Sequence, residues 1–284
     1  MPDVSSSVVS PIFVGRAQEL AALERAMQAG AEGQPIFALI GGEAGVGKTR
    51  LVEELSARAT DAGFLVLVGH CLELGADGLP LAPLVDALRA LARARSRDEL
   101  LELLGPARRG LARLLPELDP EAAADAREAD GRAAQLLELV LGLVNRLSAE
   151  RPLMLVLEDL HWADQSTLEL VAFLVRSMRE ARVLLVATYR SDELHRRHPL
   201  RPLLSGWERV RSVERLELAR FDRDEVSTQL DAILARKSGP ELVDVIFDRS
   251  GGNAFLVEEL VGVVQAGGDP TDLPPSLRDV LLAR

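Results

Sequence analysis

The sequence predicts an α/β fold, a parallel sheet with a helical insertion and a second, smaller helical domain. Three observations carry that expectation. Five short apolar runs bounded by turn residues recur along the chain: Pro35 to Ile40, Phe64 to Val68, Leu153 to Leu157, Val183 to Thr188 and Val213 to Leu218. Their length and β-branched content are those of strands buried in a sheet. Stretches of helical periodicity lie between them, as in Leu168, Val171, Leu174, Val175 and Met178, and strands alternating with helices make a parallel sheet covered on both faces. After Leu218 the pattern is purely helical.

Residues 72–150 interrupt the alternation. They are rich in Ala, Leu, Arg and Glu, with helical spacing over Leu84 to Leu91, Leu100 to Leu104 and Ala133 to Leu147, and are expected to form a helical insertion between two strands. The second domain is expected over 219–284, with helices near Glu225 to Arg236, Glu241 to Arg249 and Phe255 to Gln265. The first domain is then 1–218. Gly267 to Pro275 is a connection, and the amphipathic Leu277 to Leu282 stops at Arg284 without a helix-ending signal. The native chain is expected to continue past it.

The 284 residues carry 33 Lys and Arg against 44 Asp and Glu, a net charge of −11, with 48% hydrophobic residues. That composition excludes a disordered chain and argues against a general nucleic-acid or anionic-membrane surface. Cys71 is the single cysteine, so no internal disulfide can form, and it suits a buried small hydrophobe in a reducing compartment better than a nucleophile. No apolar stretch approaches a membrane span and no secretory leader is evident, which together point to the cytoplasm. Lys48 and Lys237 are the only lysines among many arginines.

Lys48 stands in Gly42-Glu43-Ala44-Gly45-Val46-Gly47-Lys48-Thr49, which satisfies G-x-x-x-x-G-K-[ST] directly after the first strand. In such a loop the glycines let successive amides turn inward around phosphate oxygens, and the helix opening at Arg50 adds the positive end of its dipole. Lys48 is a mobile charge for the β and γ phosphates, a task for which the planar fork of arginine is poorly shaped. Thr49 offers a hydroxyl to Mg2+. The segment Gly42 to Arg50 is therefore expected to bind a nucleoside triphosphate.

The third strand ends in Glu158-Asp159. By position Glu158 would hold Mg2+ through water and Asp159 would polarise the attacking water; an exposed acidic turn is the competing reading. The fourth strand ends Thr188-Tyr189-Arg190, where Thr188 or Arg190 could report on the γ-phosphate, against the alternative of an arginine on a surface turn. His161 suits a loop-orienting or packing role more than a catalytic one. Asp164 or Ser166 is a candidate helix N-cap, with Ser166 and Glu169 at capping-box spacing. The basic run His195 to His198 with Arg201 reads as a solvated turn, an arginine finger acting in trans or a partner surface.

With these residues in hand, the chain resembles the ATPase module of the STAND class of P-loop NTPases (AAA-like, of the ASCE type), in particular that of the large ATP-binding LuxR-type regulators. The carrying segments are FVGRAQEL at 13–20, GEAGVGKTRLVEEL at 42–55, LVLEDLHWADQSTLEL at 155–170, LLVATYRSDEL at 184–194, GGNAFLVEEL at 251–260 and LPPSLRDVLLAR at 273–284. The resemblance implies that Val14, Gly15 and Arg16 lie against adenine and ribose, and that Asn253 belongs to a lid turn over the nucleotide. The family's Gly-Asn-Pro has become Gly252-Asn253-Ala254 here, which puts any base contact by the proline in doubt.

It further implies ATP/ADP and Mg2+ as cofactors, slow hydrolysis in a switch role, possible self-association on ATP binding and an unidentified effector. Transcriptional output would come through a DNA-binding domain beyond Arg284, with no DNA binding expected from these residues and no membrane partner. A ring-forming remodelling ATPase, or the ATPase module of a cyclase- or kinase-linked signalling protein, is the alternative.

Overall fold

The computed structural model describes residues 8–73, 80–112, 114–118 and 133–268. Five strands, β1 (Ile36–Gly42), β2 (Leu65–His70), β3 (Leu153–Glu158), β4 (Val183–Arg190) and β5 (Val213–Glu217), form one parallel sheet in the order β2-β3-β4-β1-β5. Each falls on one of the five apolar runs. The register sets Leu153 beside Leu65 and Val183, and Phe37 beside Val213.

Burial follows position in the sheet. Every residue of β3 is buried, as is all of β4 before Arg190, because both faces of a central strand are covered. The edge strands are less covered: β2 buries alternate residues, and those of β5 are half-buried or exposed. The strand carrying Thr188 and Arg190 thus lies between the strand that leads into the phosphate loop and the one that ends in Glu158.

Among the described residues the α-helices, in chain order, are α1 (Ala17–Ala31), α2 (Lys48–Asp61), α3 (Ala82–Arg93), α4 (Arg97–Leu104), the single turn α5 (Arg108–Leu111), α6 (Ala133–Glu150), α7 (Gln165–Ser177), α8 (Leu200–Trp207), α9 (Arg223–Leu234), α10 (Pro240–Ser250) and α11 (Ala254–Gln265). The chain separates into two compact units, one of Met1–Gln18, Gly42–Leu51 and Leu218–Arg284 and one of Glu19–Gly41 and Val52–Glu217.

In the larger unit the insertion helices pack on the sheet through leucine. Val140, Leu143, Val144 and Leu147 of α6 recur at helical spacing and join Leu84, Leu88 and Leu91 of α3 over Leu155 and Leu157. Ser96 and Glu99 form a capping box that starts α4, and Arg146 of α6 donates to the carbonyls of Leu103 and Leu104 at its end, both at 2.8 Å. α3 crosses β2 so closely that a Cβ at Gly69 would stand 1.9 Å from the Pro83 carbonyl oxygen, so only glycine fits. The expected connection over 267–275 and the helix at 277–282 fall largely or wholly outside the described residues.

Cys71, just past β2, is buried, and its amide donates to the Glu158 carbonyl at 2.9 Å. Burial, reinforced by the negative charges of Asp159 and Asp164, pushes its thiol up to about 12. Thiolate is the reactive form, so alkylation at pH 8 should run about a thousandfold slower in the folded protein than in denaturant. Rapid native labelling would show an accessible thiol.

The smaller unit has its own apolar core of Val14, Phe221, Val226, Leu230, Val243, Ile246 and, from α11, Leu256, Val257, Leu260 and Val261. Asp222 and Glu225 form a capping box that starts α9, and Gly251 ends α10 in a left-handed conformation. Lys237 proves to have a partner: its ammonium lies 2.9 Å from Asp231, which also accepts from the Ser238 amide at 2.7 Å. These bonds, the lysine's first, hold the Asp231 carboxyl below its usual range. The pair closes the turn after α9.

Candidate functional site

The phosphate-loop residues lie in the smaller unit. Gly42, Gly45 and Gly47 have φ of +152°, +75° and +101°, a region L side chains rarely adopt. A Cβ at Gly47 would meet nothing within 4 Å, so its glycine answers to backbone conformation and leaves open space beside the loop. α2 begins at Lys48, with Thr49 next, so the first-turn amides of a 14-residue helix stand at the end of the loop. The buried Lys48 ammonium donates to the Gly42 and Glu43 carbonyls, both at 2.8 Å, curling the loop around the lysine. Positive-φ glycines, helix amides, an ammonium and a hydroxyl are the donor set that a Mg2+-bound polyphosphate requires, and the open space at Gly47 leaves room for it.

Within the same unit, the carbonyl side of the loop is held by residues far away in sequence. Asn253 is the N-cap of α11: its Oδ1 accepts from the Leu256 amide at 3.2 Å, while its Nδ2 donates to the Ala44 carbonyl at 2.8 Å. The Phe255 amide donates to the Gly45 carbonyl at 3.0 Å. The turn therefore forms with Ala254 in the place of proline, because asparagine makes both the cap and the tie to the loop. Arg16, left-handed at φ +62°, is buried; its guanidinium donates to Val46 at 3.1 Å and Ala219 at 2.6 Å and stacks 4.8 Å from the Phe221 ring centroid. Gly15 beside it has φ +64°, and Val14 is a core residue.

Arg50 turns back from α2 to the carbonyls of Ser10 and Ile12 and lies 3.9 Å from Glu258, whose Oε1 also accepts from the Ser10 amide. Arg220 pairs with Glu43 at 2.6 Å. Sequence reasoning missed Phe255, Arg220 and Glu258, since no motif spacing links them to the loop.

The larger unit holds the acid pair and the strand-end residues. Glu158 is the buried last residue of β3. Asp159 turns the chain at φ +56°, so the two acids do not continue strand alternation. Its amide donates to Thr188 Oγ1 at 2.9 Å, which joins β3 to β4 where both end. Gly41 leaves no room for a Cβ, which would lie 2.3 Å from Glu217 Oε2 and 2.5 Å from the Tyr189 hydroxyl. That hydroxyl accepts from Arg215 at 2.8 Å, and burial followed by the Glu217 charge pushes it up to about 12.

The guanidinium of Arg190 is bound to Glu193 and lies 4.8 Å from the Trp162 ring centroid. His161 is buried with its ring 4.7 Å from that of Trp162. Its Nδ1 accepts from the Arg190 amide at 3.3 Å, its Nε2 is 3.3 Å from Glu193 Oε2, and His198 Nε2 bonds its carbonyl at 3.0 Å. The structure thus gives His161 a loop-ordering environment. Asp164, not Ser166, caps α7, accepting from the Ser166 and Thr167 amides at 2.8 and 3.2 Å. The expected Ser166 and Glu169 box does not form, because Ser166 lies inside the helix with its amide taken by Asp164, and Glu169 accepts from the Gln165 side chain at 2.9 Å instead. Among the basic run, His198 packs into this network while Arg196 and Arg197 are exposed. Among the described residues no group of three or more His, Cys, Asp or Glu could hold a metal.

The AAA ATPase domain family matches residues 12–186, more than half of the chain, from the N-terminal segment into β4. The chain belongs to the AAA ATPase domain family. This AAA domain is 27% identical over 284 residues to the uncharacterized protein R02095 of Rhizobium meliloti (strain 1021), covering 91% of the chain and spanning about a quarter, 26%, of that relative. The Walker-type ATPase PABY2304 of Pyrococcus abyssi superposes with a TM-score of 0.58 at 14% identity, over 95% of this chain and 72% of that one. A signal transduction ATPase with numerous domains (STAND) carrying a tetratricopeptide repeat sensor, PH0952 from Pyrococcus horikoshii, superposes at 0.50 with 15% identity, over 91% of this chain and 31% of that one. At such identities the superpositions speak for a shared fold. No helix among the described residues is long and apolar enough to cross a membrane.

Proposed function

We propose that this AAA ATPase domain is a nucleotide-dependent switch, binding ATP and Mg2+ and hydrolysing ATP slowly, within a larger signal-responsive transcriptional regulator of the LuxR type. The observation that carries the switch is the double hydrogen bond from Asn253 and Phe255 to the carbonyls of Ala44 and Gly45. Amides of the phosphate loop would face the phosphates while its carbonyls hold the start of α11, so any change in loop conformation acts on the C-terminal helices directly. A ligand shifts such an equilibrium only through different affinity for its two states.

In this reading Lys48 and the amides from Gly42 to Thr49 bind the phosphates, Arg50 anchors the N-terminal segment, and Val14, Gly15 and Arg16 border the base and ribose. Mg2+, held by Thr49 and Glu158, would offset phosphate charge. Asp159 orients and polarises the attacking water, with its backbone fixed by Thr188. Arg190 senses the γ-phosphate. The single buried cysteine agrees with a cytoplasmic setting, and an unidentified effector and self-association on ATP binding complete the reading. Net charge of −11 suits a fragment that leaves DNA binding to another domain.

Amide hydrogen exchange tests the coupling. Addition of ATP and Mg2+ should alter protection over 254–265 in the parent. Asn253→Ala should lose most of that change and about 1–2 kcal/mol of stability, the loss of a buried cap and one further hydrogen bond. Identical exchange with and without nucleotide in a parent that binds it would reject the switch, as would sustained fast turnover by a ring in solution.

A further inference from the structure

We propose that Glu193 is a positioning residue that holds Arg190 in a resting place, and that transfer of Arg190 from Glu193 to the γ-phosphate sets how strongly the protein distinguishes ATP from ADP. The inference rests on the nucleotide-binding reading above and goes beyond it in naming what competes with the phosphate. All the residues concerned belong to the larger unit.

Arg190 is the last residue of β4, at the carboxyl edge of the sheet, and Glu193 follows three residues later in the same turn. The carboxylate is divided between two partners. One oxygen binds the Arg190 guanidinium, and the other lies 3.3 Å from His161 Nε2. His161 in turn accepts the Arg190 amide on Nδ1, which leaves Nε2 as the ring nitrogen nearer to Glu193. The buried imidazole thus stands beside the carboxylate, and the His161 carbonyl is bonded by His198. On the far side of the ring Asp159 Oδ1 lies 3.8 Å from Nδ1. One histidine ring thus lies between the acid assigned to the water and the carboxylate that holds the arginine. A shift of the Leu160–Trp162 turn would move both.

A guanidinium bound to a carboxylate has its charge largely offset, and phosphate must compete for it. The competition is finely balanced because the pair is part exposed, with 29% of the Arg190 side chain and 38% of the Glu193 side chain accessible, and such pairs are weak in water. Glu193 therefore lowers the preference for ATP by a modest factor that removing its charge restores. ADP has no γ-phosphate and is indifferent to the exchange.

The test is the ratio of affinities for a non-hydrolysable ATP analogue and for ADP, both with Mg2+, in the parent, Glu193→Gln, Arg190→Ala and the double variant. Glu193→Gln keeps the shape and should raise the ratio about fivefold with ADP affinity unchanged within about twofold, as release from a half-exposed ion pair allows. Arg190→Ala should lower the ratio, and the double variant should match it. An unchanged ratio in Glu193→Gln, or an equal rise without Arg190, overturns the proposal. Glu193→Ser serves the same comparison if Gln destabilises the turn. A purely structural role for Glu193 would weaken both nucleotides together and leave the ratio alone. A parent that binds neither nucleotide would instead reject the nucleotide-binding reading itself.

Discussion

Lys48→Ala is expected to abolish the thermal stabilisation that ATP and Mg2+ give the parent. A specific binder gains about 2.7 kcal/mol at a hundredfold excess of ligand over its dissociation constant, and the variant should gain close to nothing. The magnitude follows from the lysine's position: it is buried at the start of α2 and is the cation at the centre of the loop, holding the Gly42 and Glu43 carbonyls at 2.8 Å. Its removal takes away the charge assigned to phosphate in the proposed function and the two hydrogen bonds that curl the loop. Without nucleotide the variant should lose only about 1 kcal/mol, the usual net worth of such hydrogen bonds. Lys48→Arg restores charge without the shape and should recover little of the response. An equal response to ATP and Mg2+ in parent and Lys48→Ala would remove the loop from the site.

The second large effect is on stability. Gly252 precedes the Asn253 cap with φ +76°, and a Cβ there would stand 2.1 Å from the Phe221 carbonyl oxygen. The contact is backbone against backbone and is fixed by the Phe221 amide, which donates to the Gly252 carbonyl at 2.8 Å. Gly252→Ala therefore combines left-handed strain with an overlap that no side-chain rotation relieves, about 3 kcal/mol in all. Gly267 is the control: its φ is +77°, but nothing lies within 4 Å of its added Cβ. Gly267→Ala should cost only the strain, about 1 kcal/mol. Urea unfolding of the two variants separates the terms, and equal losses would show that the Phe221 contact yields.

Much of the candidate site was legible because its residues are neighbours in sequence. Consecutive residues from Gly42 to Thr49 must curl around one group, so their spacing survives in the sequence. The same is true of strands: a parallel strand buried on both faces needs a continuous apolar run, and Leu153 to Leu157 and Val183 to Ala187 have little other use. The capping residue of α7 was less legible, since Asp164 and Ser166 both satisfy the local rule and only geometry chooses between them. Glu193 sits three residues after Arg190 within a segment already singled out. What hid its role is that an acidic residue in a polar turn is ordinarily just solvated.

The sequence by itself determined the α/β class, the five strands, the helical insertion and the phosphate loop. Each follows from periodicity or from residues a few positions apart, where local sterics and burial act. Tertiary structure decided the order β2-β3-β4-β1-β5, which places Thr188 and Arg190 between the loop strand and the acid strand. It also decided that Gly42–Leu51 packs with residues more than 170 positions later, through Asn253, Phe255, Arg220 and Glu258. These contacts are single hydrogen bonds and ion pairs across long sequence separations. A polar residue shows its partner only once the chain has closed, whereas an apolar run reveals its burial by composition alone.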